Sequence, residues 1–90
     1  GYGLAITPLR TAMLYNAVAN KGVMMKPYLV NSVVEDGTII KKFVPQVVNE
    51  RICSETTLKQ LKVCLEGVCI NGTGKRLFEN AAYKAAGKTG

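Results

Sequence analysis

From Leu9 to Ala19, the apolar residues Leu9, Ala12, Met13, Leu14, Tyr15, Ala17, Val18 and Ala19 cover most of a helical circumference. Only Arg10, Thr11 and Asn16 interrupt them. A surface helix shows a single apolar stripe, so this one is expected to be covered on several sides, by more neighbours than ninety residues supply. Thr7-Pro8 marks its start, because threonine caps free N–H groups and proline lacks the N–H that the first turn leaves unpaired. Asn20-Lys21-Gly22 marks its end, with glycine in the left-handed conformation. The pattern predicts a helix over about 7–21. Alternation takes over next. Tyr28-Leu29-Val30 and Val33-Val34 read as one strand, and Thr38-Ile39-Ile40 through Phe43-Val44 as its partner, with Asp36-Gly37 as a two-residue hairpin turn. The predicted hairpin covers about 28–44, places Val34 opposite Ile39 and Val30 opposite Phe43, and ends at Pro45. An isolated hairpin is marginal in water, so it is expected to pack on something.

Val47-Val48 adds a short extended piece, and helical periodicity then returns. Leu58, Leu61, Cys64, Leu65 and Val68 follow i, i+3, i+4 spacing, with Lys59, Lys62 and Glu66 on the other side. Ser54 caps this helix, Glu55 suits the positive end of its dipole, and Asn71-Gly72 ends it, giving a helix over about 54–71. Gly72-Thr73-Gly74-Lys75 reads as a loop. Residues 83–90 read as a final strand. The fold class is therefore α+β, in the order helix, β-hairpin, helix, terminal strand.

Composition narrows the classes. A hydrophobic content of 48% argues against disorder. No apolar run approaches the roughly 18–20 residues of a membrane span. The chain opens on Gly1-Tyr2-Gly3, with neither a signal peptide nor a start methionine, as an excised segment would. Twelve Lys or Arg against six Asp or Glu give a net charge of +6. They are spread along the sequence, with only Lys41-Lys42 and Lys75-Arg76 adjacent. A nucleic-acid module clusters its cations or intersperses stacking aromatics, so nucleic acid is not expected as a partner. Attraction to an anionic substrate or membrane surface is compatible with the charge. Cys53, Cys64 and Cys69 read as small buried hydrophobes; the last two lie five apart on a helix and point in different directions, which disfavours a bridge. With no histidine and no Cys-x-x-Cys spacing, a metal site is not expected; no cofactor is expected either.

The chemistry gathers at the end. Ala86-Gly87-Lys88-Thr89-Gly90 sets a cation, a hydroxyl donor and glycines in a row, a composition that suits an anion. One reading is phosphate: residues 82–89 come within one residue of the P-loop pattern, with Ala82 in place of the first glycine. A P-loop, however, follows a buried apolar strand and opens a helix, and Leu77-Phe78-Glu79-Asn80-Ala81 does not read as that strand. Gly72-x-Gly74 lacks the third glycine of a dinucleotide fingerprint. A second reading is Lys-Thr-Gly on a strand, one of three separated motifs of active-site serine enzymes acting on D-alanyl peptides and β-lactams. A third is an exposed strand end in a non-catalytic interaction module.

The remainder of the chain supplies context. Gly1-Tyr2-Gly3, Thr7-Pro8-Leu9, Ala19-Asn20-Lys21-Gly22, Lys26-Pro27-Tyr28, Gly72-Thr73-Gly74 and the terminal run together resemble the transpeptidase domain of high-molecular-weight penicillin-binding proteins. The resemblance spans about residues 1–90, is strongest to the class B, monofunctional type, and favours the septal form around Asn16-Ala17-Val18-Ala19-Asn20. It implies that Lys88 and Thr89 hold a substrate or β-lactam carboxylate and that Gly90 leaves room for the substrate along the strand edge. The other two motifs are missing: Ser32 precedes Val33-Val34-Glu35, Ser54 precedes Glu55-Thr56-Thr57, and neither forms Ser-x-x-K or Ser-x-Asn. No catalytic residue is therefore expected in this segment. The chain reads as one inactive piece of a larger enzyme that cross-links peptidoglycan stem peptides, binds β-lactams and works on the extracytoplasmic or periplasmic face of the cell membrane. Its membrane anchor would lie outside these residues. Other cell-wall synthesis or divisome proteins are expected partners, and exposed apolar faces on the first helix and hairpin lead to an expectation of self-association.

Overall fold

The computed structural model describes residues 3–90; Gly1 and Tyr2 of the opening Gly-Tyr-Gly run lie outside the described residues. The chain divides into two compact units, one formed by Pro8–Ile52 and the other by Gly1–Thr7 with Cys53–Gly90.

In the Pro8–Ile52 unit, helix α1 spans Pro8–Ala19 and opens on the proline that sequence placed there. Ala17 and Val18 are its buried residues, while Leu9, Leu14 and Tyr15 stay exposed. Its end is a backbone turn in which the Gly22 N–H donates to Ala17 O at 2.8 Å and the Asn20 N–H to Asn16 O at 2.8 Å. Both Lys21 (φ 58°) and Gly22 (φ 86°) are left-handed. The expected glycine is left-handed, and the six-residue closure draws Lys21 before it into the same conformation. Two short strands follow from this turn. β1 (Met24–Met25) pairs antiparallel with a strand at Val47–Asn49, joining Met24 to Asn49 and Met25 to Val47. The Lys26 N–H extends that pairing to Gln46 O, and the Ile52 N–H returns to Gly22 O.

The hairpin consists of β2 (Ser32–Glu35) and β3 (Thr38–Lys42), and the Val47–Asn49 strand is β4. Asp36 and Gly37 form the turn with φ of 51° and 79°, the geometry of a tight two-residue connection. Val34 stands opposite Ile39 as expected. Val33, however, stands opposite Lys41, so Ile40 is an extra residue on β3. This bulge shifts everything beyond it by one. The Phe43 N–H therefore reaches Asn31 O rather than facing Val30, and residues 28–30 lie outside the ladder. Val34, Ile39 and Ile40 are each more than half exposed.

In the second unit, helix α2 spans Glu55–Ile70. The Ser54 hydroxyl accepts from the Thr57 N–H, and Glu55 lies in the first turn. Its buried line runs through Leu58 and Cys69, with Leu65 half-buried between them. The expected stripe is thus rotated: Leu61 is 38% exposed and Cys64 is exposed, because both lie to one side of that line. Only Cys69 matches the reading of three buried cysteines. Cys53 is half-buried, and all three thiols are free. The expected loop after α2 instead contains a one-turn helix, α3 (Lys75–Phe78). Residues 83–90 are not a strand. They have no ladder partner among the described residues, and a strand exists only through its ladder. The segment is attached to α2 instead, through the Gly87 N–H and Leu65 O at 3.0 Å.

Candidate functional site

The second unit brings two sequence motifs together. Immediately past α2, the Asn71 and Gly72 N–H groups both donate to Gly67 O, at 2.9 and 3.0 Å, and the Gly74 N–H donates to Val68 O at 2.9 Å. These bonds use carbonyls that the end of a helix leaves without intrahelical donors. The turn lies so close to the helix that side chains have no room. A Cβ on Gly72 would stand 3.0 Å from Val68 Cα, and one on Gly74 would stand 3.1 Å from Val68 O. The glycines of Gly72-Thr73-Gly74 therefore allow close approach, and Thr73 projects from between them.

Gly87 is anchored one turn earlier on the same helix, at Leu65. Both segments thus hang from neighbouring carbonyls of α2. The outcome is a contact between motifs sixteen residues apart: the Thr73 and Thr89 hydroxyl oxygens stand 3.5 Å apart, at the outer limit of a hydrogen bond. Beside it the Lys88 ammonium donates to the carbonyl oxygen of Thr89 at 2.7 Å. An ammonium has three donors and a hydroxyl one proton. Lys88 therefore retains two N–H donors, and the Thr89 hydroxyl beside it carries a donor of its own. Both side chains are exposed, as is Gly90, where an added Cβ would meet nothing within 4 Å. This is a small cationic donor surface open on one side, suited to an anion.

Lys88, Thr89 and Gly90 are where sequence placed the chemistry, and the structure adds Thr73. Its sequence signal is the Gly72-Thr73-Gly74 run, which carries part of the family resemblance but names no role for Thr73. The residues before Ala82 form α3 and the turn closing it, where the Ala81 N–H donates to Phe78 O, rather than the buried strand that a P-loop follows. The serines lie elsewhere: Ser54 caps α2, with its hydroxyl also 2.9 Å from Thr57 Oγ1, and Ser32 opens β2. Among the described residues no cluster of histidine, cysteine or carboxylate side chains could hold a metal, and no helix is long and apolar enough to cross a membrane. A cavity of about 300 Å³ in the Pro8–Ile52 unit, lined by Lys26, Lys41, Lys42, Tyr28 and Phe43 among others, has no serine, threonine or cysteine in its lining.

The chain is similar to known proteins along its whole length. The family model described as the penicillin binding protein transpeptidase domain matches residues 1–90. Stage V sporulation protein D of Bacillus subtilis is 33% identical over 92 residues, covering 100% of this chain and 14% of that protein. The peptidoglycan D,D-transpeptidase FtsI homolog of Mesostigma viride is 30% identical over 105 residues, covering 100% of this chain and 17% of its own length. Penicillin-binding protein PbpB of Mycolicibacterium smegmatis is 33% identical over 98 residues, with 100% and 15% covered. The chain thus spans between 14% and 17% of the length of these relatives. No solved structure matches it.

Proposed function

The chain belongs to the penicillin-binding protein transpeptidase domain family, and from that premise we propose that it supplies the carboxylate-binding end of a peptidoglycan D,D-transpeptidase active site. The observation that carries the proposal is the match over residues 1–90 in a segment that presents Lys88 and Thr89 as exposed neighbouring donors. Residues 1–90 would then be part of one transpeptidase domain. A serine outside the segment attacks the amide carbonyl between the two D-alanines of a stem peptide. The C–N bond breaks, the terminal D-alanine leaves, and an amine of a neighbouring peptide takes the acyl group from the serine. Lys88 and Thr89 hold the donor's terminal carboxylate, or the equivalent acid of a β-lactam, through charge-assisted bonds that are stronger than neutral ones. Gly90 keeps the backbone clear for the substrate.

The names of the relatives, one a sporulation protein and one an FtsI homolog, support a cell-wall role on the extracytoplasmic side of the membrane and favour a septal over an elongation enzyme. Divisome proteins follow as partners of the parent. The exposed apolar side chains of α1 and the hairpin favour association, with the rest of the parent or, for the segment alone, with itself.

A fluorescent penicillin tests the reading. The full-length parent forms a covalent adduct that maps to a serine outside residues 1–90, and the 90-residue segment forms none, because it contains neither Ser-x-x-K nor Ser-x-Asn. An adduct on the segment, or an unlabelled parent, sinks it.

A further inference from the structure

We propose that Thr73 is a positioning residue for Thr89: its hydroxyl donates to Thr89 Oγ1 and thereby turns the Thr89 proton outward, to the bound carboxylate. The proposal rests on the reading of Lys88 and Thr89 given above and goes beyond Lys-Thr-Gly to a residue outside that motif.

A threonine hydroxyl has one proton and two acceptor lone pairs. Left alone on an exposed segment, the Thr89 hydroxyl rotates, and its proton is shared among water and nearby carbonyls. Once Oγ1 accepts from Thr73, its proton cannot also be spent on Thr73, and the group is polarised as a donor. Hydrogen bonds in a chain reinforce one another in this direction. Thr73 thus serves as the first link of a donor relay whose last acceptor is the ligand's carboxylate.

The backbone makes this contact a constructed one. Thr73 is held between glycines whose N–H groups bind Gly67 O and Val68 O, and the Lys75 N–H closes the turn onto Gly72 O at 3.1 Å. Thr89 lies two residues past Gly87, which binds Leu65 O. One helix, α2, therefore sets the spacing of both hydroxyls through three carbonyls near its end, at positions 65, 67 and 68. The Gly72 and Gly74 positions tolerate no side chain without displacement, so the turn has little freedom to carry Thr73 elsewhere.

The test uses the full-length parent and the second-order rate of acylation by a β-lactam acid. Thr73→Val keeps the shape and removes the donor; the rate should fall about 3–10-fold, the worth of one neutral hydrogen bond. Thr73→Ser should react within about twofold of the unmodified protein on the same grounds. The methyl ester of the same β-lactam, which presents no carboxylate, should acylate Thr73→Val and unmodified protein at equal rates. Thr89→Val should be slower than Thr73→Val, and the double variant no slower than Thr89→Val alone, since Thr73 acts only through Thr89. An unchanged rate in Thr73→Val, failure of Thr73→Ser to recover it, equal slowing with acid and ester, or additive effects in the double variant each overturn the proposal. If Thr73→Val does not fold, Thr73→Cys takes its place: slowing confined to the acid supports the relay, and slowing of both ligands overturns it. A parent that forms no adduct overturns the carboxylate reading and this proposal together, whereas a normal adduct rate in Thr73→Val overturns the role of Thr73 alone.

Discussion

The turn at Asp36-Gly37 and the turn at Gly72-Thr73-Gly74 each depend on glycine, for different physical reasons. At the hairpin, Gly37 has a φ of 79°, and a Cβ built on it would meet nothing within 4 Å. Glycine is needed there for its dihedral angles, and the space around it is empty. Past α2 the situation is reversed. Neither Gly72 nor Gly74 has a positive φ, and both would drive a Cβ into the backbone at Val68. Glycine is needed there for room. The first turn joins two strands of a hairpin whose apolar side chains remain exposed. The second lets a loop lie against a helix so that Thr73 reaches Thr89. A turn chosen for its angles organises its own neighbours in sequence, whereas a turn chosen for close approach brings together residues sixteen positions apart.

If the second turn exists to hold chemistry, the largest effect should come from removing that chemistry while leaving the fold intact. Lys88 is exposed, and its one hydrogen bond is to the adjacent residue's carbonyl. Lys88→Ala in the full-length parent should slow β-lactam acylation by about 100-fold, in the range expected for loss of a charge-assisted hydrogen bond. The thermal midpoint should hardly move. A large fall in melting temperature with little change in rate would place Lys88 in the fold and not in the site.

Gly72→Ala should come next. Its Cβ meets Val68 Cα at 3.0 Å, and backbone cannot step aside as a flexible side chain can. Overpacking of this kind costs about 1–3 kcal/mol, measurable by denaturant unfolding. The turn can relieve the clash only by moving off α2, which carries Thr73 from Thr89, so acylation should slow as well. Stability lost without any change in rate would show that the turn and the site are independent. Gly37→Ala provides the contrast. With open space but a left-handed angle, it should cost about 1–2 kcal/mol of local stability and leave the acylation rate unchanged. A slowed rate in Gly37→Ala would break the distinction between the two turns.

Much of this was legible in sequence where one residue type has one local use. Ser54 before a helical period, Thr7-Pro8 at a helix start and Asp36-Gly37 between alternating runs all specify their elements through neighbours within four residues. Other features depend on distant partners and left no local trace. The pairing of Met24–Met25 with Val47–Asn49 joins two short apolar runs more than twenty residues apart, neither long enough to show alternation. The bulge at Ile40 follows Ile39 with no residue that marks it, and it displaced the expected Val30 and Phe43 pairing. Residues 83–90 read as a strand only with a partner strand beside them, and here the Gly87 N–H bonds Leu65 O on a helix instead. For the proposed site, Lys88, Thr89 and Gly90 carry their anion-binding composition in the sequence itself. Thr73 does not, because its meaning arises only when α2 brings it beside Thr89.

The smallest expected effect tests whether α2 supports the site by rigidity or only by position. Gly67 lies within the helix, its carbonyl accepts from both Asn71 and Gly72, and a Cβ there would meet nothing within 4 Å. Unlike Gly37 it needs no special angle, and unlike Gly72 it has room, so neither of the reasons that hold the two turns applies to it. Gly67→Ala should therefore stabilise by about 0.5–1 kcal/mol, the helix preference of alanine over glycine. If the carbonyls at 65, 67 and 68 act as fixed anchors, a stiffer helix should leave acylation unchanged or slightly faster. A stabilised protein that acylates more slowly would mean that the end of α2 must bend for the ligand to enter. A destabilised one would mean that another part of the parent packs against this face, where the glycine would be doing for that neighbour what Gly72 does for Val68.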